Sequence, residues 1–187
     1  MLTGGASAAR VYAAWERIDS FTKLEKVSFY FGDERCVLPE DLESNYGMVM
    51  RTLLTDPDAL KRNRIFRMEA DSMDRAAAAE RYAALLPERI DILLLGVGED
   101  GHIASLFPNS PILQETKQRV VMVVGPKAPY SRITITPSVI TDAGALFVLA
   151  PGLAKSKVLI QALQHPEDFY SFPVRLALRG TWLLDKS

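Results

Sequence analysis

Apolar positions recur at helical spacing over residues 7–18, where Val11, Ala14, Trp15 and Ile18 follow Ser7, a side chain suited to an N-cap. The pattern then changes to Val27-Ser28-Phe29-Tyr30-Phe31, a β-branched and aromatic run stopped by Gly32, which predicts a buried strand. A polar loop is expected from Asp33 to Glu43, punctuated by Pro39, before Ser44 caps a helix running to about Leu54. Asp56-Pro57-Asp58 breaks the pattern, and Arg64-Ile65-Phe66-Arg67 predicts a short strand. Residues 73–86, rich in alanine and carrying Tyr82, Leu85 and Leu86, predict a helix that Pro87 ends.

Asp91-Ile92-Leu93-Leu94-Leu95-Gly96 is a continuous apolar run, as expected of a strand covered on both faces. Further strands are predicted at 120–124, 132–136, 145–150 and 181–184, with a helix at 153–163. Helices alternating with buried strands specify an α/β fold of three layers, an open and mostly parallel sheet with helices on both faces. Neither a repeat nor a linker divides the chain, so one domain over residues 1–187 is expected.

Composition narrows the function. Nearly half of the residues (48%) are apolar, enough for a sizeable core, and 22 basic against 23 acidic side chains leave a net charge of -1. That balance excludes the broad basic coat of a nucleic-acid binder, so any anion must be held by a local cluster. The single cysteine, Cys36, excludes an internal disulfide framework and a cysteine-built zinc site. Two histidines, His102 and His165, do not suggest a metal centre, and no metal or cofactor is expected. Met1 runs into Leu2-Thr3-Gly4-Gly5 without a basic and apolar leader, and the apolar run from Ile92 to Gly98 is too short to span a bilayer. The expectation is a cytoplasmic protein with no membrane or nucleic-acid partner, monomeric rather than oligomeric, acting on a small molecule.

Three polar clusters fall where strands end, the edge at which open α/β sheets bind ligands. Thr3-Gly4-Gly5-Ala6-Ser7 is a glycine turn entering a helix, where free N–H groups and the helix dipole favour an anion. It has neither the Walker A nor the GxGxxG spacing. Asp33-Glu34-Arg35 follows a buried strand, and the planar fork of Arg35 suits a phosphate. Gly96-Val97-Gly98-Glu99-Asp100-Gly101-His102 follows the strongest strand, and a histidine, with an ordinary pKa near 6.5, suits acid–base work at neutral pH. Asp100, two residues earlier, is a candidate to orient that imidazole or to accept a substrate hydroxyl. Lys127 and Arg132, on either side of Pro129, are candidates to extend the anion site, whereas Lys155 and Lys157 read as one exposed helix face.

The run Gly98-Glu99-Asp100-Gly101-His102-Ile103-Ala104-Ser105-Leu106-Phe107-Pro108 resembles the signature loop of the 6-phosphogluconolactonases. Gly32-Asp33-Glu34-Arg35 with Ser44-Asn45-Tyr46-Gly47 is similar to that family's second block, and Arg132-Ile133-Thr134-Ile135-Thr136 and Gly180-Thr181-Trp182-Leu183-Leu184-Asp185 also fit. The related glucosamine-6-phosphate deaminases share a similar Asp-Gly-His loop but continue with an Asn-Glu-containing stretch, which the Ala104-to-Pro108 continuation does not resemble. Two departures stand out: Ala6 replaces a hydroxyl of the family's Ser-Gly-Gly-Ser-Thr-Pro loop, and the helix and strand that usually precede that loop are not present, as in a shortened chain.

The resemblance implies a Rossmann-like fold of the sugar-phosphate isomerase/lactonase type. It also implies hydrolysis of 6-phospho-D-glucono-1,5-lactone, with His102 and Asp100 catalytic. Gly4, Gly5, Ala6, Ser7, Asp33, Arg35, Gly101, Lys127 and Arg132 are then expected at the substrate, with backbone N–H groups of the Gly98–Gly101 loop as oxyanion donors. A deaminase or isomerase on the same fold, and a non-catalytic sugar-phosphate-binding paralogue, are the alternatives.

Overall fold

The computed structural model describes residues 1–185. Its strands are β1 (Ser28–Phe29), β2 (Asp33–Arg35), β3 (Arg64–Ile65), β4 (Ile92–Gly96), β5 (Val120–Val124), β6 (Ser131–Ile135), β7 (Ala145–Leu149) and β8 (Thr181–Leu183). Its α-helices are α1 (Ala6–Trp15), α2 (Asp19–Thr22), α3 (Asn45–Thr52), α4 (Pro57–Arg62), α5 (Arg75–Leu85), α6 (Pro137–Asp142) and α7 (Leu153–Leu163).

Parallel pairings β1–β3, β4–β7 and β7–β8 build the central layer. Met1–Thr3 lies between its two halves. Leu2 N donates to Tyr30 O at 2.7 Å and Gly32 N to Leu2 O at 2.9 Å on one side, and Leu94 N donates to Met1 O at 3.0 Å on the other. Gly96 N reaches Thr3 Oγ1 at 3.1 Å. The glycine loop therefore has a strand-like support. The layer runs β3–β1–(1–3)–β4–β7–β8, and the chain winds outward in opposite directions from the seam between Met1–Thr3 and β4. Such a seam is a topological switch point, where adjacent loops diverge and leave a crevice.

Successive β4 side chains alternate between two cores, as a strand buried on both faces requires. Leu93 and Leu95 join Tyr82 of α5, Ile140 of α6 and Val158 of α7. Leu94 joins Leu2, Phe31, Tyr12 of α1 and Val49 of α3. Helices thus cover both faces, as predicted.

The antiparallel sheet β2–β6–β5 departs from the expectation of one mostly parallel sheet. The reason is local: only residues 125–130 connect β5 to β6, too few for the crossover that parallel pairing needs. β2 lies inside the segment expected to be a polar loop; its charged side chains take tertiary hydrogen-bond partners rather than an apolar face. The Asp56-Pro57-Asp58 break is in fact a helix start, with Asp56 accepting from Asp58 N and Pro57 in the first turn of α4. Ser44 does cap α3, accepting from Gly47 N at 3.0 Å.

Candidate active site

A cavity of about 310 Å³ opens at the switch point. The glycine loop, the end of β4, His102, β2 and β6 all contribute to its walls.

Gly4 has no space for a side chain, because a Cβ there would overlap the Asn45 carboxamide. Gly5, at φ 95°, is the N-cap of α1, so Ser7 lies inside the first turn and is not the cap the spacing suggested. The first intrahelical bond in that turn is Ala9 N to Gly5 O at 3.0 Å, so the amides of Ala6, Ser7 and Ala8 have no helical acceptor. The Tyr12 hydroxyl holds the backbone in front of the loop, accepting from Thr3 N at 2.9 Å and donating to Thr3 O at 3.0 Å.

The antiparallel sheet supplies the charges. Arg35 and Arg132 are direct partners across β2 and β6, and both line the cavity. Like charges set opposite each other are unfavourable unless an anion or acid offsets them. Burial, and then the charge of Arg35, pull the Arg132 guanidinium below its ordinary pKa. Glu43 offsets part of the charge, its carboxylate accepting from Arg35 Nη1 at 3.2 Å, while buried Arg35 Nε has no hydrogen-bond partner among the described residues.

Asp33, buried at the cavity wall, accepts from Ser105 Oγ at 2.6 Å and from Asn45 Nδ2 at 3.1 Å. Glu34 points the other way. Its carboxyl accepts from the amides of Arg35, Asn45 and Tyr46 and from Ser44 Oγ, clamping the start of α3. Burial pushes its pKa up against the pull of the three amides.

His102 also lines the cavity, and its Nδ1 lies 2.5 Å from Asp100 Oδ1. The hydrogen bond to His102 holds the Asp100 carboxyl well below the carboxylate range, at about 2. A Cβ on Gly98 would overlap this pair, so the glycine is there for space. Phe107 packs on His102, with ring centroids 4.9 Å apart.

Not every expected residue reaches the cavity. Lys127 is exposed and contributes only its carbonyl, which accepts from Arg132 Nη2 at 3.5 Å. Gly101, at φ 79°, is pressed against Phe172 and does not line the cavity. The expected oxyanion donors are partly engaged: Gly98 N donates to His102 O and Gly101 N to Gly98 O. Lys155, read from the sequence as surface, lines the cavity from the first turn of α7, whereas Lys157 is exposed. Asn45 also lines it and was not singled out as a contact. The Gly152 that precedes α7 repeats the positive φ of Gly5, at 96°, and offered a signal for Lys155. Among the described residues no three His, Cys, Asp or Glu side chains cluster as metal ligands, and no helix is long and apolar enough to cross a membrane.

Opposed guanidiniums and an imidazole–carboxylate pair thus line one cavity at the carboxyl edge of a parallel sheet, where α/β enzymes bind their ligands. The chain belongs to the glucosamine-6-phosphate isomerase/6-phosphogluconolactonase family, which matches residues 1–184. The 6-phosphogluconolactonase 3 of Saccharomyces cerevisiae is 34% identical over 179 residues, covering 89% of this chain and 72% of the relative. A 6-phosphogluconolactonase from Shewanella baltica superposes with a TM-score of 0.80 at 28% identity, over 98% of this chain and 80% of that structure. A monomeric glucosamine-6-phosphate deaminase reaches a TM-score of 0.81 at 20% identity, over 99% of this chain and 84% of that structure, a likeness of fold alone.

Proposed function

We propose that His102, oriented by Asp100, is the general base with which this chain hydrolyses 6-phospho-D-glucono-1,5-lactone to 6-phospho-D-gluconate. The observation that carries this reading is that an anion cradle and a basic imidazole line one cavity. A substrate with phosphate at one end and an electrophilic carbonyl at the other fits that pairing.

The amides at the start of α1, with Arg35, Arg132 and Lys155, hold the phosphate. His102 Nε2 takes a proton from water as the water oxygen bonds to C1. When the bond from C1 to the ring oxygen breaks, the imidazolium returns that proton to the departing oxygen. Asp100 keeps the proton on Nδ1 and stabilises the charged ring. Asp33, fixed by Ser105 and Asn45, accepts from a sugar hydroxyl. A lactone carbonyl with an alcohol leaving group calls for no metal or cofactor in this scheme. We place the activity in the cytoplasm, in a monomer whose single domain spans residues 1–187.

The test is the rate of lactone hydrolysis over its spontaneous background at neutral pH. A large excess is expected. A rate equal to background, with 6-phosphogluconate still bound, would leave a sugar-phosphate-binding protein instead. Ammonia release from glucosamine 6-phosphate would make it a deaminase.

A further inference from the structure

We propose that Phe107 is a positioning residue that couples phosphate binding to the catalytic imidazole, a role that rests on the assignments of His102 and Arg132 above. Its ring touches both. The centroid lies 4.9 Å from that of His102, with the planes tilted by 46°, and Arg132 Cζ lies 5.7 Å from the same centroid. A guanidinium over an aromatic face is an attractive contact with a preferred geometry. The base and the anion-binding cation therefore pack on one rigid side chain, in addition to Asp100 on His102 and the carbonyls of Pro129 and Lys127 on Arg132.

The surroundings leave that ring little freedom. Phe107 is buried, and Ser110 N donates to its carbonyl at 3.2 Å. Gly125 leaves the space it needs, since a Cβ there would come 3.1 Å from the Phe107 ring and 3.0 Å from Arg132 Nε. Two residues before it, Ser105 is bonded to Asp33. The turn over 105–107 thus reaches all three functional side chains, and Phe107 is the part that faces both base and cation. A leucine would fill much of the volume but would offer neither a π face to Arg132 nor a flat wall to His102.

The consequence is kinetic. Binding energy from a remote phosphate raises turnover only if it is converted into placement of the reacting groups. Without the ring, Arg132 would still bind phosphate, but its position would no longer set that of His102.

The experiment compares turnover on 6-phosphogluconolactone and on plain gluconolactone for the wild type, Phe107→Leu and Phe107→Tyr. The ratio of the two kcat values is expected to fall roughly 10-fold in Phe107→Leu, within the range for small misplacements of reacting groups. Phe107→Tyr, which keeps the ring, is expected to retain the ratio. A folded leucine variant with an unchanged ratio, or one in which only KM rises, overturns the proposal. A second readout needs no variant: titrating the wild type with inorganic phosphate is expected to shift the Phe107 and His102 ring resonances together. A saturating titration that moves neither overturns it too. His102→Asn separates the two readings, because full activity in that variant would remove the base assignment itself.

Discussion

His102 Nδ1 faces Asp100 Oδ1 at 2.5 Å, and this one contact fixes the tautomer of the imidazole. A carboxyl held at about 2 is ionised at neutral pH and can only accept, so Nδ1 is the donor and Nε2 is the ring nitrogen that the proposed general base would use. His102→Asn is expected to lower kcat roughly 10²–10⁴-fold, the scale for a positioned acid–base group. Asp100→Asn loses tautomer control and ion stabilisation but leaves the imidazole in place, so a loss smaller than that of His102→Asn is expected. Steady-state kinetics on both variants check the order; a larger loss for Asp100→Asn than for His102→Asn would reverse the roles.

The same contact predicts a pH dependence of stability. The folded-state pKa of Asp100 is about 2, below its ordinary 3.8. A depressed carboxyl contributes stability that is present above the unfolded value and is lost as pH falls through the folded one. The Tm difference between the wild type and Asp100→Asn should therefore hold down to about pH 4 and close between about pH 4 and 2. The difference is expected to be small, because the Asp100 side chain is 47% exposed and solvent screens the pair. A difference that stays open below about pH 2 would contradict the assignment.

Gly98→Ala tests whether the proposed catalytic pair needs open space beside it. The added methyl would overlap His102 Nδ1 and crowd Asp100 Oδ1 at 2.6 Å, so the pair must move. Turnover is expected to fall roughly 10²-fold, the effect of a displacement of about 1 Å at reacting groups. The fold should survive, because the displaced side chains are only partly buried and Gly98 itself is not among the positive-φ glycines. Unchanged kcat would mean that the loop tolerates a wider spacing than this geometry needs.

Glu34 predicts a loss of stability with little change in chemistry. Four donors converge on its buried carboxyl, from Ser44, Asn45, Tyr46 and Arg35. Glu34→Ala leaves those donors unmatched and unpins the start of α3, so a loss of at least about 2 kcal/mol is expected by denaturant unfolding. An unchanged midpoint would show that water replaces the carboxylate without cost.

These cases also show what was legible in the sequence and what was not. β4 was legible because its leucines are buried on both faces, and α3 because Ser44 is a local cap. β2 was hidden: Asp33-Glu34-Arg35 has no apolar alternation, and each side chain takes hydrogen-bond partners at least eight positions away. α4 was hidden by a proline that reads equally well as a breaker and as a first-turn residue. Within the site, the histidine loop stood out by composition. The opposition of Arg35 to Arg132 depends on a strand register that no local pattern encodes.

Lys155 and Lys157 make the sharpest comparison, since two positions on one helix read alike and end in different surroundings. Lys155 is half-buried and lines the cavity from the first turn of α7; Lys157 is exposed and does not. The Gly152 N-cap sets where α7 begins and hence which side chain of its first turn faces the cavity. If Lys155 holds the phosphate together with Arg35, Lys155→Ala and Arg35→Ala should each raise KM for 6-phosphogluconolactone roughly 10- to 100-fold, the equivalent of about 1.5–3 kcal/mol for a hydrogen bond to a charged group. Neither should change KM for plain gluconolactone appreciably, and Lys157→Ala should match the wild type on both substrates. Equal losses on the two lactones would show that these cations support the fold rather than bind phosphate. A Lys157→Ala defect as large as that of Lys155→Ala would show that the general positive field of α7, not the position of one ammonium, attracts the substrate.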